Sequence, residues 1–200
     1  MWMRPEEATD AACALIRGAR SGRAMIVVAI DGGAAAGKST LAKGIRDRLG
    51  TVSTLRADHF FRPLNEYPAA LLAPDEAYRL YFDWERMIQE ALSPLRRGQT
   101  ARYQRYHWNT DRLNQSVILE PNETLLVEGV YSTRPELRPL IDTAIFVETP
   151  REERRKRMLV RGHLENDPDN NWLTPWMAAE DWYFANVRPH EYCDLRLAGL

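Results

Sequence analysis

Apolar residues recur at helical spacing over residues 5–20, where Ala8, Ala11, Ala12, Leu15, Ile16 and Ala19 share one face. Gly18 and Gly22 close that amphipathic segment. Residues 24–30 (AMIVVAI) then form an unbroken apolar run rich in β-branched side chains, the pattern of a central parallel strand buried on both faces. A glycine-rich turn follows, then a helical pattern over about residues 38–49 closed by Gly50, then a short strand at 52–55 that leads to Asp58. From Phe60 to about Ser116 the regularity dissolves. Pro63, Pro68, Pro74 and Pro94, set among tyrosines and arginines, break up any strand pattern. Only residues 84–92 read as a helix there, with Asp83 as its N-cap and Met87, Ile88, Ala91 and Leu92 facing inward. Strand character returns at 124–127 (TLLV) and 144–147 (AIFV). A basic helix over 151–161, a helix over 175–187 stopped by Pro189 and a last strand at 195–198 complete the chain. Strands alternating with helices predict an α/β fold with a parallel sheet and right-handed crossovers. The stretch 60–116 reads as a substrate-facing insertion within a single domain spanning 1–200.

Composition narrows the partners. The chain has 200 residues, of which 44% are hydrophobic, enough for one substantial core. Lys and Arg number 27 against 28 Asp and Glu, a net charge of −1, so no global basic field exists to hold a nucleic acid. Cys13 and Cys193 are far apart and form neither a disulfide framework nor a CxxC metal pair, which indicates reduced thiols in a cytoplasmic protein. No stretch approaches the roughly 18 apolar residues of a membrane span. The N-terminus reads as an amphipathic helix and not a signal peptide. The four histidines lack metal-ligand spacing. Self-association into a homo-oligomer stays open.

The chemistry enters at Gly32-Gly33-Ala34-Ala35-Ala36-Gly37-Lys38-Ser39, followed by Thr40, an instance of GxxxxGK[ST]. To wrap an anion in backbone N–H groups, a loop must curl tightly, which glycine permits. Alanines at 34–36 let phosphates approach closely. The helix starting near Lys38 points its positive end at the same anion. Lys38 adds a cation for the β and γ phosphates, and the Ser39 hydroxyl can ligate Mg²⁺. An apolar strand before the motif and a helical pattern after it supply the context it requires, so ATP and Mg²⁺ are the expected cofactors.

Ligands of open α/β sheets lie beyond the carboxyl ends of the strands. Asp58 and Glu128 both follow predicted strands and should face the γ-phosphate. Asp58 is the candidate to orient an acceptor hydroxyl and take its proton, the alternative being a loop cap. Glu128 is the candidate to hold a metal-bound water or assist the substrate, the alternative being a salt-bridge partner. Ser39, Asp58 and Glu128 together form the expected metal set. Arg154, Arg157 and Arg161 share one helix face. That face either closes over ATP as a lid or is a solvated surface paired with Glu152 and Glu153. Trp172, Trp176 and Trp182 read as packing residues. His59, beside Asp58, either tunes it or occupies an exposed loop.

With these pieces in view, the chain resembles the uridine kinase and phosphoribulokinase family of P-loop kinases. The matching elements are IDGGAAAGKST, ADHFF, YFDWERM, ARYQRYHW, LLVEGVY and the arginine-rich segment ending in RG, in the family's order. The resemblance implies a three-layer P-loop fold with a five-stranded parallel sheet, an inserted substrate region and a helical lid at about 151–172. It implies that Asp58 is the catalytic aspartate, that Asp83 contacts sugar hydroxyls, that Tyr103 lies beside the base and that Arg154 and Arg157 are lid arginines. Trp108 stands where the family's uridine kinases usually carry a histidine, with His107 just before it, and His107 joins the expected acceptor contacts. The implied activity is ATP-dependent phosphorylation of a small-molecule hydroxyl, first of all a nucleoside, with another hydroxylated metabolite or coenzyme precursor as the alternative. A non-catalytic ATP-binding regulator is the competing class, and Asp58, Asp83 and the arginines weigh against it, since a pure binder needs none of them.

Overall fold

The computed structural model describes residues 3–64, 72–160 and 171–198. Helix α1 (Pro5–Arg20) leads into β1 (Ile26–Asp31), the phosphate-loop motif and α2 (Lys38–Leu49). Strand β2 (Val52–Arg56) passes into a 3₁₀ turn at Ala57–Phe60. After α3 (Pro74–Leu80), a helical stretch runs through α4 (Trp84–Met87), a π turn at Ile88–Leu92 and α5 (Ser93–Arg96). Strands β3 (Ala101–His107) and β4 (Arg112–Leu119) follow, then β5 (Thr124–Glu128), β6 (Thr143–Glu148), α6 (Arg151–Val160), α7 (Leu173–Asn186) and β7 (Leu195–Ala198).

The main sheet has five strands in the order β2-β5-β1-β6-β7, and every pairing in it is parallel. The alternation of side chains along a strand divides the core into two layers. Ile26, Val28 and Ile30 of β1, with Leu126, Ile145 and Val147, pack against Ala12, Ile16, Leu41 and Ile45 of α1 and α2. Val27, Leu125 and Val127 face the opposite way, into an aromatic-rich layer that includes Phe60, Tyr78, Phe82, Tyr131 and Tyr183. The carboxyl ends of β1, β2 and β5 emerge side by side, because Ile30 pairs with Glu128 and Arg56 pairs with Glu128 on the other edge. This register sets the phosphate loop, Asp58 and Glu128 at one end of the sheet.

The inserted region departs from expectation. Residues 101–119 are not strandless: β3 and β4 form an antiparallel pair. In ARYQRYH, Ala101 and Tyr103 turn inward while Arg102 and Gln104 face solvent. A bulge between Arg105 and Tyr106 then shifts the register, so that Tyr106 is buried as well. That phase slip hides the two-residue period from a linear reading. The prolines do not interrupt this hairpin. Pro74 instead opens α3 at its first position, and Pro94 sits within the first turn of α5, both tolerated sites. The helix expected to end at 92 continues to Arg96 through the π turn. Of the lid expected at 151–172, the stretch 161–170, with Arg161, lies outside the described residues.

Candidate active site

The phosphate loop curls by alternating backbone handedness. Gly32 has φ +139° and Gly37 φ +105°, while Ala35 adopts a left-handed φ of 59°. A Cβ on Gly32 would run into the Val147 carbonyl oxygen, and one on Gly33 into the Arg154 guanidinium. The first glycine thus allows the loop to cross β6, and the second leaves room for an arginine. Ala34, Ala35 and Ala36 keep the loop's rim narrow. Lys38, largely buried, donates from Nζ to the Gly33 carbonyl at 2.9 Å and so spans the loop. Ser39 and Thr40 are exposed on the first turn of α2. The Ser39 hydroxyl donates to Glu128 Oε1 at 3.1 Å.

The loop opens onto a cleft of about 480 Å³. Residues 34–39, Asp58 and Glu128 form its polar end; Phe61, Tyr81, Trp108, Trp172 and Trp176 form an aromatic wall. Tyr81 stacks on Trp176, with ring centroids 5.3 Å apart and planes 8° from parallel. Phe61 lies 4.6 Å from Trp108. Asp58 reaches the cleft from the 3₁₀ turn after β2. The protein crowded around its carboxyl raises its pKa, the charge of Glu128 raises it further, and Lys38 and Arg56 pull it down. Solvent can still reach the residue.

The other expected acceptor contacts are placed differently. Asp83 caps α4, accepting the Arg86 backbone N–H at 3.1 Å, and lies 3.5 Å from Arg62. Tyr103 is buried, with its ring 4.8 Å from Phe60 and its hydroxyl 2.9 Å from His59 Nδ1. His107 turns toward Thr110, 3.3 Å away. None of the three lines the described cleft; Trp108 does. The tryptophans read as packing residues divide, with Trp172 and Trp176 in the cleft wall and Trp182 against Tyr78.

The two described arginines also part. Arg157 pairs with Glu153, Nε to Oε1 at 3.0 Å, and extends Nη1 to the Ala35 carbonyl at 3.4 Å. Arg154 is buried and joined to Glu180 of α7 in an ion pair. It faces a second cavity of about 560 Å³ behind the loop, lined also by Gly33, Thr149, Phe184 and His190.

Among the described residues, two buried acids, Asp31 and Glu180, were not expected from the sequence. Asp31 ends β1 fully buried and accepts backbone N–H groups from Tyr131 (3.1 Å) and Thr133 (2.8 Å) and the Tyr183 hydroxyl (2.6 Å). Its signal was available: an acid closing an apolar strand just before the glycines must find donors. Glu180 sits in a helix with no comparable mark.

His59 does not tune Asp58 with a charge. Burial, then Arg105 and Arg56, push its pKa from 6.5 down to about 4. The unfolded chain takes up this proton below about pH 6.5 and the fold only near pH 4, so His59 makes stability decline as pH falls through that window. His59→Gln is expected to flatten the decline, checked by urea unfolding at several pH values between the two limits. An unchanged slope would show that His59 is protonated in the fold.

The sequence and the fold are similar to those of known proteins. The profile of the "Phosphoribulokinase / Uridine kinase family" matches residues 27–166. A uridine kinase from Halobacterium salinarum is 27% identical over 169 residues, covering 82% of this chain and 72% of its own length. Uridine-cytidine kinase B of Dictyostelium discoideum is 30% identical over 149 residues, 70% of this chain and 59% of that protein. The fold superposes on the "Possible Uridine Kinase" structure from Bacillus stearothermophilus with a TM-score of 0.76 at 21% identity, covering 98% of this chain and 100% of that one. With 140 consecutive residues from β1 onward under one family profile, this chain belongs to the phosphoribulokinase / uridine kinase family and is a phosphotransferase.

Proposed function

We propose that this chain, a cytoplasmic enzyme on this reading, transfers the γ-phosphoryl group of ATP to a hydroxyl of a small molecule, with a nucleoside as the first acceptor class. One observation carries the reading: a loop with room only for glycine at its closest approaches shares a cleft with two strand-end carboxylates, one bonded to the Ser39 hydroxyl. Loop amides and Lys38 would hold the phosphates. Ser39, Glu128 and Asp58 would hold Mg²⁺, a hard all-oxygen donor set that suits this ion and leaves positions for phosphate and water. The ion, when bound, screens charge on the phosphate oxygens. Asp58 orients the acceptor hydroxyl and takes its proton. Arg157, against the loop, stabilises charge gathering on the transferred group.

The aromatic wall supports an acceptor with a flat body, stacked on Phe61, Trp108 or Trp176. A nucleoside fits this description. The ties of Asp83 to Arg62 and Arg86 favour a second reading, an aromatic hydroxylated metabolite that needs no sugar-binding acid. ADP release from ATP and Mg²⁺ is the test, run against a panel of pyrimidine and purine nucleosides and aromatic alcohols. Acceptor-dependent release is expected. ATP binding without release to any acceptor would favour a regulator over a kinase.

A further inference from the structure

Glu180 is a fully buried carboxylate in the middle of α7, remote in sequence from every motif of the family. Burying a carboxylate is costly unless each of its oxygens is answered. Here Oε1 accepts two N–H groups, the Ala34 backbone amide of the phosphate loop at 2.7 Å and the Trp176 indole at 2.8 Å. Oε2 takes the Arg154 guanidinium. Arg154 Nε donates to the Thr149 carbonyl at 3.2 Å, and the Thr149 hydroxyl donates to the Ala36 carbonyl at 3.0 Å. The bonds close a ring from α7 to the loop, to the end of β6, to α6 and back to α7. Two of its members, Ala34 and Ala36, flank Ala35, whose left-handed backbone is unfavourable for a residue with a Cβ and persists only where its surroundings hold it.

We infer that Glu180 is a positioning residue that couples the two halves of the cleft, setting the phosphate loop through Ala34 and Arg154 and the acceptor wall through Trp176. The inference rests on the reading of residues 32–39 as the nucleotide cradle. The sharing of one oxygen matters most. A wall residue and a loop amide are held by the same atom, so a disturbance of the carboxylate reaches both substrates at once. Glu180 touches neither substrate and acts only through the residues it holds.

Glu180→Gln tests this. The amide can answer Arg154 with its oxygen, or Ala34 and Trp176, but its NH₂ then faces a donor on the other side. KM for ATP and KM for the acceptor are expected to rise together, each by about tenfold, the loss of one charge-assisted hydrogen bond. A purely structural role would lower the melting temperature and the active fraction without moving either KM. Should Glu180→Gln fail to fold, Arg154→Lys keeps the charge but lacks the fork that reaches both Glu180 and Thr149. It is expected to raise the ATP Kd several-fold, on the order of 1 kcal/mol, and the acceptor KM with it, because the carboxylate that loses its fork also holds Trp176. Folded Glu180→Gln with both KM values unchanged, or Arg154→Lys with unchanged ATP Kd, overturns the coupling alone. Wild-type protein that binds no ATP overturns the nucleotide reading, and the coupling with it.

Discussion

Asn in place of Asp58 is expected to lower kcat by about 10²- to 10⁴-fold, the usual contribution of a positioned general base, while ATP still binds. The substitution preserves shape and removes both the charge and the proton acceptor. Asp58 is suited to that role by place and by pKa. It stands at the polar end of the cleft between the phosphate loop and the aromatic wall, and crowding together with Glu128 raises its carboxyl above the ordinary 3.8. A raised value brings a base closer to working pH. Protonation removes the base, so kcat/KM should fall on the acid side. Steady-state ADP release across pH, with ATP binding followed by calorimetry, checks both statements. A variant that retains kcat within about threefold of wild type would remove Asp58 from the chemistry, since the general-base contribution is far larger.

Lys38→Ala should act on the other substrate. Its ammonium is held inside the loop by the Gly33 carbonyl, where a phosphate oxygen would find it without a search through rotamers. Losing a hydrogen bond to a charged group costs about 1.5–3 kcal/mol, or roughly 10- to 150-fold in the ATP Kd. The fold should tolerate the change, because the Gly33 carbonyl that loses the ammonium still accepts the Ala36 backbone N–H at 3.2 Å. Binding measured by calorimetry with ATP and Mg²⁺, beside a thermal melt of the apo protein, separates lost affinity from lost structure. An ATP affinity equal to wild type would mean that residues 32–39 are not the phosphate cradle.

The elements that carry the strongest local signal were the most legible. The run AMIVVAI is too apolar and too β-branched to be anything but an interior strand, and β1 occupies Ile26–Asp31 within a residue or two of it. GGAAAGKS specifies its own turn, because three of its residues have positive φ and two of those are glycine. By contrast, the β3–β4 hairpin was hidden by a bulge, and α3 by prolines that open helices as readily as they end strands. His107 and Trp108 show the limit most sharply. They are neighbours, yet the register places one toward Thr110 and the other in the cleft.

The sequence by itself determined the α/β class, the phosphate loop and the two strand-end acids, because each depends on bonding between residues close in the chain or on a strand's alternation. Only the tertiary structure decided which aromatic side chains wall the cleft, that Arg154 turns to a buried partner while Arg157 reaches the loop, and that Glu180 joins α7 to the loop 146 residues earlier. Those are contacts between distant segments, set by how helices and hairpin pack on the sheet, and no local period records them.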